Sequence, residues 1–498
     1  MRFVELMGAI APGYDRDCEI SAVTTDSRRV APGTLFIALK GVKSDGHTFI
    51  PQAIEQGAAA IILEDAGFIP AKCAVPCVVC ADIRKQLAGL AARFYGNPTR
   101  ALTVIGVTGT NGKTSTTYYL KAILEAAGIP TGLIGTIEHI IGSEREPAAN
   151  TTPDGLKLQE LFARMRDAGM RAAVMEVSSH GLALGRTEGI EFDGAIFTNI
   201  TEDHLDFHKT MEEYLAAKLL FADQLERSAK SNTWYCCNRD IQYADTVKAR
   251  LRKSGLPIWY FGEGDAGADP RGTGAEYILA RDAVASLHET SYMLCRRETA
   301  LARTELASRG YFNIYNSLAA ASAALALGIA PDIIARGMAE VRIPGRFELV
   351  PNDRGFLVAV DYAHTDDALA NLLSSARRLE PGRIITVFGC GGDRDRAKRP
   401  KMARAASSLS DMVIVTSDNP RTENPEAIIQ DILPGITDTN RARVCVDRAS
   451  AIRAALREAR KGDIVLIAGK GHENYQIFAD RTIHFDDREI AAEALAAL

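Results

Sequence analysis

The run Thr108-Gly109-Thr110-Asn111-Gly112-Lys113-Thr114 brings together the groups that hold a polyphosphate. Glycines let the backbone approach phosphate oxygens, and N–H groups at the start of a following helix point at them. Lys113 neutralises charge, and the Thr114 hydroxyl can ligate Mg²⁺. LTVIGV precedes the run. TTYYLKAILEAAG follows it, with Leu120, Ile123, Leu124 and Ala127 at helical spacing, so the loop joins a strand to a helix as such a site requires. Val107 stands five positions before Gly112, so the strict GxxxxGK[ST] spacing fails and the loop is a variant. A plain glycine turn capping a helix would not need the lysine and hydroxyl together. ATP or another nucleoside triphosphate is the implied ligand.

Two further groups suit phosphoryl chemistry. Glu176 ends the strand AAVMEV, where a carboxylate can ligate Mg²⁺, and His204 follows the next strand, GAIFTNI. Each alone reads as a strand-end charge or a loop histidine; beside Lys113 they read as a metal and transition-state site. Lys218 lies on the edge of the amphipathic EYLAAKLLF, and by its own pattern it is a snorkelling lysine.

The elements that must position these groups follow from length and pattern. At about 150 residues per domain, 498 residues make roughly three. We place them at 1–98, with short apolar runs closed by FYGNPTR; at 99–340, with alternating strands and helices; and at 341–498. The last opens at VRIPGRFE and carries the five strands FLVAVD, RIITVFG, MVIVTSD, ARVCVD and DIVLIAG. The expected class is α/β: a central P-loop-type ATPase domain with a parallel sheet, and a Rossmann-like C-terminal domain. No fixed-period repeat is present.

Lys plus Arg number 58 against 63 Asp plus Glu, a net charge of −5, so there is no basic excess and nucleic acid is not expected as the main partner. MRFVELMGAIAPGYDRD lacks a signal-peptide apolar core and no segment approaches a membrane span, so a cytoplasmic protein is expected. Nine cysteines, an odd number, are expected to be reduced thiols. Cys73, Cys77 and Cys80 in AKCAVPCVVCADI have no fourth ligand nearby and read as a buried strand rather than a metal site.

Further segments complete a series in fixed order: NTTPD at 150–154, MEVSSHGLALGR at 175–186, FTNITEDHLDFHKTMEEYLAAK at 197–218, YFNIYN at 311–316, PGRFE at 344–348 and VDYAHT at 360–365. GCGGDRDRAKRP at 389–400, SDNPRTENP at 417–425 and AGKGHENYQ at 468–476 follow. With GVTGTNGKTS, this series resembles the Mur ligase family, which builds the peptide of the bacterial cell wall. Within it, the similarity is greatest to members that add meso-diaminopimelate to UDP-N-acetylmuramoyl-L-Ala-D-Glu at the expense of ATP, through an acyl phosphate.

That resemblance implies roles by position. Asn316, Arg346 and Asp361 would contact ATP beside the phosphate loop. Glu176, His204 and Thr114 would hold Mg²⁺, with Lys218 a CO₂-derived carbamate (N6-carboxylysine) that serves as a further metal ligand. Ser27 in TTDSRRV, Thr151, Thr152, Ser178 and Arg186 would hold the UDP-sugar dipeptide. Arg394, Asp418, Asn419, Pro420, Arg421, Gly469 and Glu473 would hold diaminopimelate: two guanidiniums for its extra carboxylate and acceptors for its ammonium. A monomer without membrane insertion is expected. Three positions depart from the family pattern: Asp366 stands where proline is common, Leu184 where some relatives carry glutamine, and Ala397 where glycine is common. The rivals are the same ligase taking L-lysine, a folate polyglutamylating ligase, and a nucleotide-binding switch that does no ligation.

Overall fold

The computed structural model describes residues 1–8, 10–41, 44–265 and 274–498. The first sheet is four-stranded and parallel, β1 (Ala22–Thr24), β2 (Thr34–Ile37), β3 (Ala60–Leu63) and β4 (Cys77–Val79) in sequence order. Leu35, Ile37, Ala60 and Ile62 face Phe3, Leu6 and Leu90 in its core. The cysteine-rich run is not one buried strand. Only Cys77–Val79 pairs, at the sheet edge, and Cys73 lies in the preceding turn with its Sγ 3.3 Å from that of Cys77. All nine cysteines are free.

Asn97 takes a left-handed conformation (φ 51°) and Pro98 starts a short 3-10 turn between the helix Ile83–Phe94 and the next strand. The central sheet has eleven strands. In chain order they are β5 (Thr103–Thr108), β6 (Thr131–Ile134), β7 (Glu138–Ile141), β8 (Glu144–Pro147), β9 (Ala172–Glu176) and β10 (Gly194–Phe197). β11 (Trp234–Asn238), β12 (Ile258–Glu263), β13 (Glu276–Ala285), β14 (Thr290–Arg296) and β15 (Thr299–Glu305) complete it. The spatial order is β15-β14-β13-β12-β11-β10-β5-β9-β6-β7-β8.

The middle of this sheet is parallel, as expected of a P-loop-type domain, and its edges make the sheet mixed. β14 and β15 at one edge, and β7 and β8 at the other, pair antiparallel. The reason is local: tight connections such as Gly142 (φ 59°) fold the edges back as hairpins, whereas the parallel strands are linked by helices. The buried parallel strands read as continuous apolar runs. The Ala-rich helix Phe312–Ala326 packs its small side chains against helix Lys113–Ala126 and the sheet.

The C-terminal sheet is ordered β16-β17-β21-β18-β19-β20, from β16 (Glu348–Leu349), β17 (Leu357–Asp361), β18 (Ile384–Phe388), β19 (Met412–Val415), β20 (Ala442–Val444) and β21 (Ile464–Ala468). The five predicted strands are parallel; the two-residue β16 adds antiparallel to β17. A hairpin of β22 (Tyr475–Ile477) and β23 (Thr482–His484) follows. In both large sheets the strand order reverses beside a central strand, β5 in one and β21 in the other. This opens a crevice at the carboxyl ends where ligands bind in such folds.

Candidate active site

At the carboxyl end of β5 the chain needs glycine at two places. Gly109 (φ 150°) leaves no room for a Cβ, which would stand 1.9 Å from Thr198 Oγ1. Gly112 (φ 84°) would set one 2.3 Å from Asn316 Oδ1. Asn111 is fixed on both sides: its N–H donates to Asn199 Oδ1 at 2.8 Å, and its carbonyl accepts from Thr198 Oγ1 at 2.6 Å. Lys113 opens the helix and folds back, donating from Nζ to the Gly109 and Thr110 carbonyls, each at 2.8 Å. Burial lowers its pKa, against the pull of Glu176 and Asp203.

Thr114 Oγ1 donates to Glu176 Oε1 at 3.0 Å and Oε2 at 3.1 Å, joining the strand-end carboxylate to the loop. Glu176 is 1% exposed and also accepts from Thr136 N at 2.8 Å and Thr136 Oγ1 at 3.0 Å. Thr136, which sequence reasoning missed, sits in an unremarked turn after β6, and only the folded register brings it to Glu176. Arg346 Nη2 reaches Thr114 Oγ1 at 3.4 Å across the domain boundary, its guanidinium 4.6 Å from the centre of the Tyr362 ring.

These groups line a cavity of about 670 Å³ between the central and C-terminal domains, together with Thr110, Asn111, Gly112, His204, Asn316 and Asp361. Thr108 and Gly109 shape the loop but do not line the cavity. Asp361 faces it, yet its oxygens accept from Phe347 N at 2.7 Å and Ala363 N at 2.8 Å, so its evident work is to fix the linker that carries Arg346. Burial raises its pKa. That linker needs Gly345 (φ 64°), where a Cβ would lie 2.1 Å from His472 N.

His204 is in a left-handed conformation (φ 56°) at the start of the short helix Leu205–His208, with its ring 4.8 Å from that of His180. Desolvation in the cleft, with His180, Lys113 and Lys218 nearby, pushes its pKa down to about 4 against the pull of Asp203; the imidazole is neutral at pH 7. Lys218 is not a snorkelling lysine. It is 1% exposed, its Nζ lies 4.4 Å from the Tyr214 ring centre, and burial and Lys113 hold its pKa well below the ordinary lysine value.

A second cluster adjoins β9. Thr152 Oγ1 donates to the Glu176 carbonyl at 3.0 Å and accepts from Ser178 N at 2.9 Å, while Arg186 Nη1 donates to the Thr152 carbonyl at 2.8 Å. Ser178 caps the helix Ser179–Ala183. Thr151 lines the main cavity and accepts from Thr136 Oγ1 at 3.0 Å. Ser27 lies apart on the first domain, in a 3-10 turn capped by Asp26. Leu184 is exposed.

A third cluster crowns the C-terminal sheet. Asn419 Nδ2 donates to Glu473 Oε2 at 2.8 Å, and Gln476 Nε2 donates to the Asp418 carbonyl at 2.7 Å. Gly469 (φ 118°) permits the close approach, since a Cβ there would meet Asp418 Oδ2 at 2.7 Å. Arg421 (φ 53°) donates from Nη1 to the Gly392 carbonyl at 2.8 Å, and Arg394 and Arg421 flank Gly391. The Pro420 carbonyl would clash with any side chain at Gly392. Lys470, at the centre of this cluster, was missed: a lysine between two glycines in a charged motif carries no burial signal. The unusual Asp366 leaves the turn intact, with Thr365 capping the helix Asp366–Arg377 and Asp366 and Asp367 in its favourable first turn.

A phosphate loop, an adjoining carboxylate and an arginine reaching them from another domain define a multi-domain nucleotide-dependent enzyme. Family models of the Mur ligase family match the chain throughout: the catalytic domain over residues 19–95, the middle domain over 107–324 and the glutamate ligase domain over 345–471. UDP-N-acetylmuramoyl-L-alanyl-D-glutamate--2,6-diaminopimelate ligase of Geobacter sulfurreducens is 45% identical, over 98% of this chain and 96% of its own. The enzyme of the same name from Solibacter usitatus is 45% identical, over 99% and 96%. A solved structure of a ligase of that name is 33% identical and superposes with a TM-score of 0.69, covering 99% of this chain and 98% of its own. The chain belongs to the Mur ligase family, as the order of its motifs predicts, and is an ATP-dependent ligase. No helix among the described residues is long and apolar enough to cross a membrane.

Proposed function

We propose that the protein adds meso-diaminopimelate to UDP-N-acetylmuramoyl-L-Ala-D-Glu in the cytoplasm, consuming ATP, in peptidoglycan precursor synthesis. The observation that carries the reading is the meeting of the phosphate loop, Glu176 and Arg346 of the C-terminal domain at the Thr114 hydroxyl, on one cavity. The 1–98, 99–340 and 341–498 segments divide the work: sugar nucleotide, ATP and amino acid. Relatives of that activity, matched over nearly the whole chain, support the choice of substrates.

A carboxylate is a poor electrophile, so ATP converts the glutamyl carboxylate to an acyl phosphate, which the amine then attacks with release of phosphate. Lys113, the loop N–H groups and Arg346 hold the phosphates and offset charge in flight. Thr114 and Glu176 present hard oxygens that would hold Mg²⁺ beside the phosphates. His204, neutral, offers a ring nitrogen beside them. Lys218 suits conversion to a carbamate, since CO₂ reacts only with a neutral amine and burial favours that form. Bound metal would polarise the phosphoryl oxygens. Thr151, Ser178 and Arg186 orient the dipeptide, and closure between domains excludes water from the acyl phosphate.

With ¹⁸O in the glutamyl carboxylate, inorganic phosphate should gain one label per turnover. Phosphate release should also require both the UDP-dipeptide and the amino acid. Unlabelled phosphate would refute the acyl-phosphate route.

A further inference from the structure

Lys470 lies between Gly469 and Gly471 beyond β21, and its side chain is fully buried (0% exposed). Burying an ammonium is costly unless its protons are taken up. Here they meet Asn419 Oδ1 at 3.2 Å and Glu473 Oε2 at 3.2 Å. Both partners belong to the amino-acid pocket inferred above.

The hydrogen-bond pattern is directional. Asn419 Oδ1 accepts from Lys470 Nζ and from Ile477 N at 3.0 Å, so the amide can present only its NH₂ to Glu473. Turning the amide over would set two donors against two donors. Glu473 Oε2 thereby receives Lys470 and Asn419 together, while Oε1 accepts no hydrogen bond among the described residues. One carboxylate oxygen is clamped and the other is left for a ligand.

We propose that Lys470 is a positioning residue of the amino-acid pocket, orienting Asn419 and Glu473 so that Glu473 Oε1 receives an ammonium of the incoming diamino acid. The inference rests on the proposed function and deepens it. Electrostatics agree with the geometry: burial raises the Glu473 pKa, and Lys470 is the leading influence that lowers it again. The other groups facing Glu473 are Asp418, Asn419, Tyr362, Tyr475 and Arg448. Without Lys470, Glu473 takes up its proton at higher pH and ceases to be an acceptor for a cation.

The test compares the full-length enzyme with Lys470→Met, Lys470→Gln, Glu473→Gln and the double variant Lys470→Met/Glu473→Gln, using ATP, UDP-N-acetylmuramoyl-L-Ala-D-Glu and meso-diaminopimelate. Lys470→Met should raise KM for meso-diaminopimelate at least about tenfold and leave KM for ATP and the UDP-dipeptide within about twofold. It should also move the acid limb of kcat/KM for diaminopimelate to higher pH. Lys470→Gln keeps a donor without the charge and should show the same shift even if the Met variant folds poorly. In the Glu473→Gln background, Lys470→Met should change KM less than about twofold further. An unmoved acid limb with unchanged diaminopimelate KM in either Lys470 variant, or an equal rise in all three KM values, would overturn the role of Lys470 alone. A wild-type enzyme that makes no diaminopimelate adduct would overturn this role and the proposed function together.

Discussion

Asp367 of the C-terminal domain accepts a 2.8 Å hydrogen bond from Thr201 of the central domain. The same Oδ2 accepts from Asn111 Nδ2, in the phosphate loop, at 3.3 Å and from Asn371 at 3.0 Å. The C-terminal domain is thus tied directly to the phosphate loop. Together with Arg346 on Thr114, this contact makes the reactive geometry depend on docking of the two domains.

Asp367→Ala should lower kcat about tenfold, since hydrogen bonds to a charged acceptor contribute about 1.5–3 kcal/mol. Asp367→Asn keeps an acceptor for Thr201 and should recover most of that loss. Steady-state kinetics with thermal melts of each variant would show whether the effect lies in turnover or in stability. Equal kcat in all three proteins would remove the contact from the mechanism.

Lys218→Ala should cut turnover at least about a hundredfold while the protein still folds, because the buried amine makes no hydrogen bond among the described residues whose loss would unfold it. The parent protein, freed of CO₂, should lose activity and regain it with bicarbonate. Insensitivity to CO₂ would rule out a carbamate at Lys218.

Arg421→Ala should weaken diaminopimelate use about tenfold to a hundredfold, equivalent to a charge-assisted contact of about 1.5–3 kcal/mol. L-Lysine, which lacks the distal carboxylate, should be affected much less. Parallel kcat/KM measurements with both amino acids decide the matter, and an equal loss for both would assign Arg421 to the scaffold instead.

Acid stability should carry a signature of His472. Burial, with Arg346 and Arg488 nearby, pushes its pKa down to about 4, and its buried Nδ1 makes no hydrogen bond among the described residues. In the unfolded chain a histidine titrates near 6.5, so between about pH 6.5 and 4 the unfolded state binds the extra proton and stability falls as pH falls. Below about 4 both states are protonated and this contribution levels off. His472→Gln should therefore flatten the loss of melting temperature across that window relative to the parent, and parallel curves would show that another group governs it.

Much of the fold was legible because the parallel strands are buried on both faces and read as continuous apolar runs, as in LTVIGV, AAVMEV and DIVLIAG. The region from 234 to 305 was not. β13 and β15 expose one face, so their polar residues break the apolar signal, and antiparallel edges are set by pairing rather than by composition. Within the site, the phosphate loop announced itself by chemistry. Lys218 did not, because helical spacing puts it on an edge and only tertiary packing buries it. Lys470 and Thr136 were hidden for the same reason: their partners lie 51 and 40 residues away at Asn419 and Glu176.

The most direct test of the account is competition in a single mixture: protein, ATP, Mg²⁺, UDP-N-acetylmuramoyl-L-Ala-D-Glu, and meso-diaminopimelate and L-lysine at equal concentration, with products weighed by mass spectrometry against phosphate released. The account predicts one diaminopimelate adduct for each phosphate and little lysine adduct. A predominant lysine adduct would contradict the assignment of Arg394, Arg421 and Glu473 to a diaminopimelate pocket, and phosphate without either adduct would contradict ligation itself.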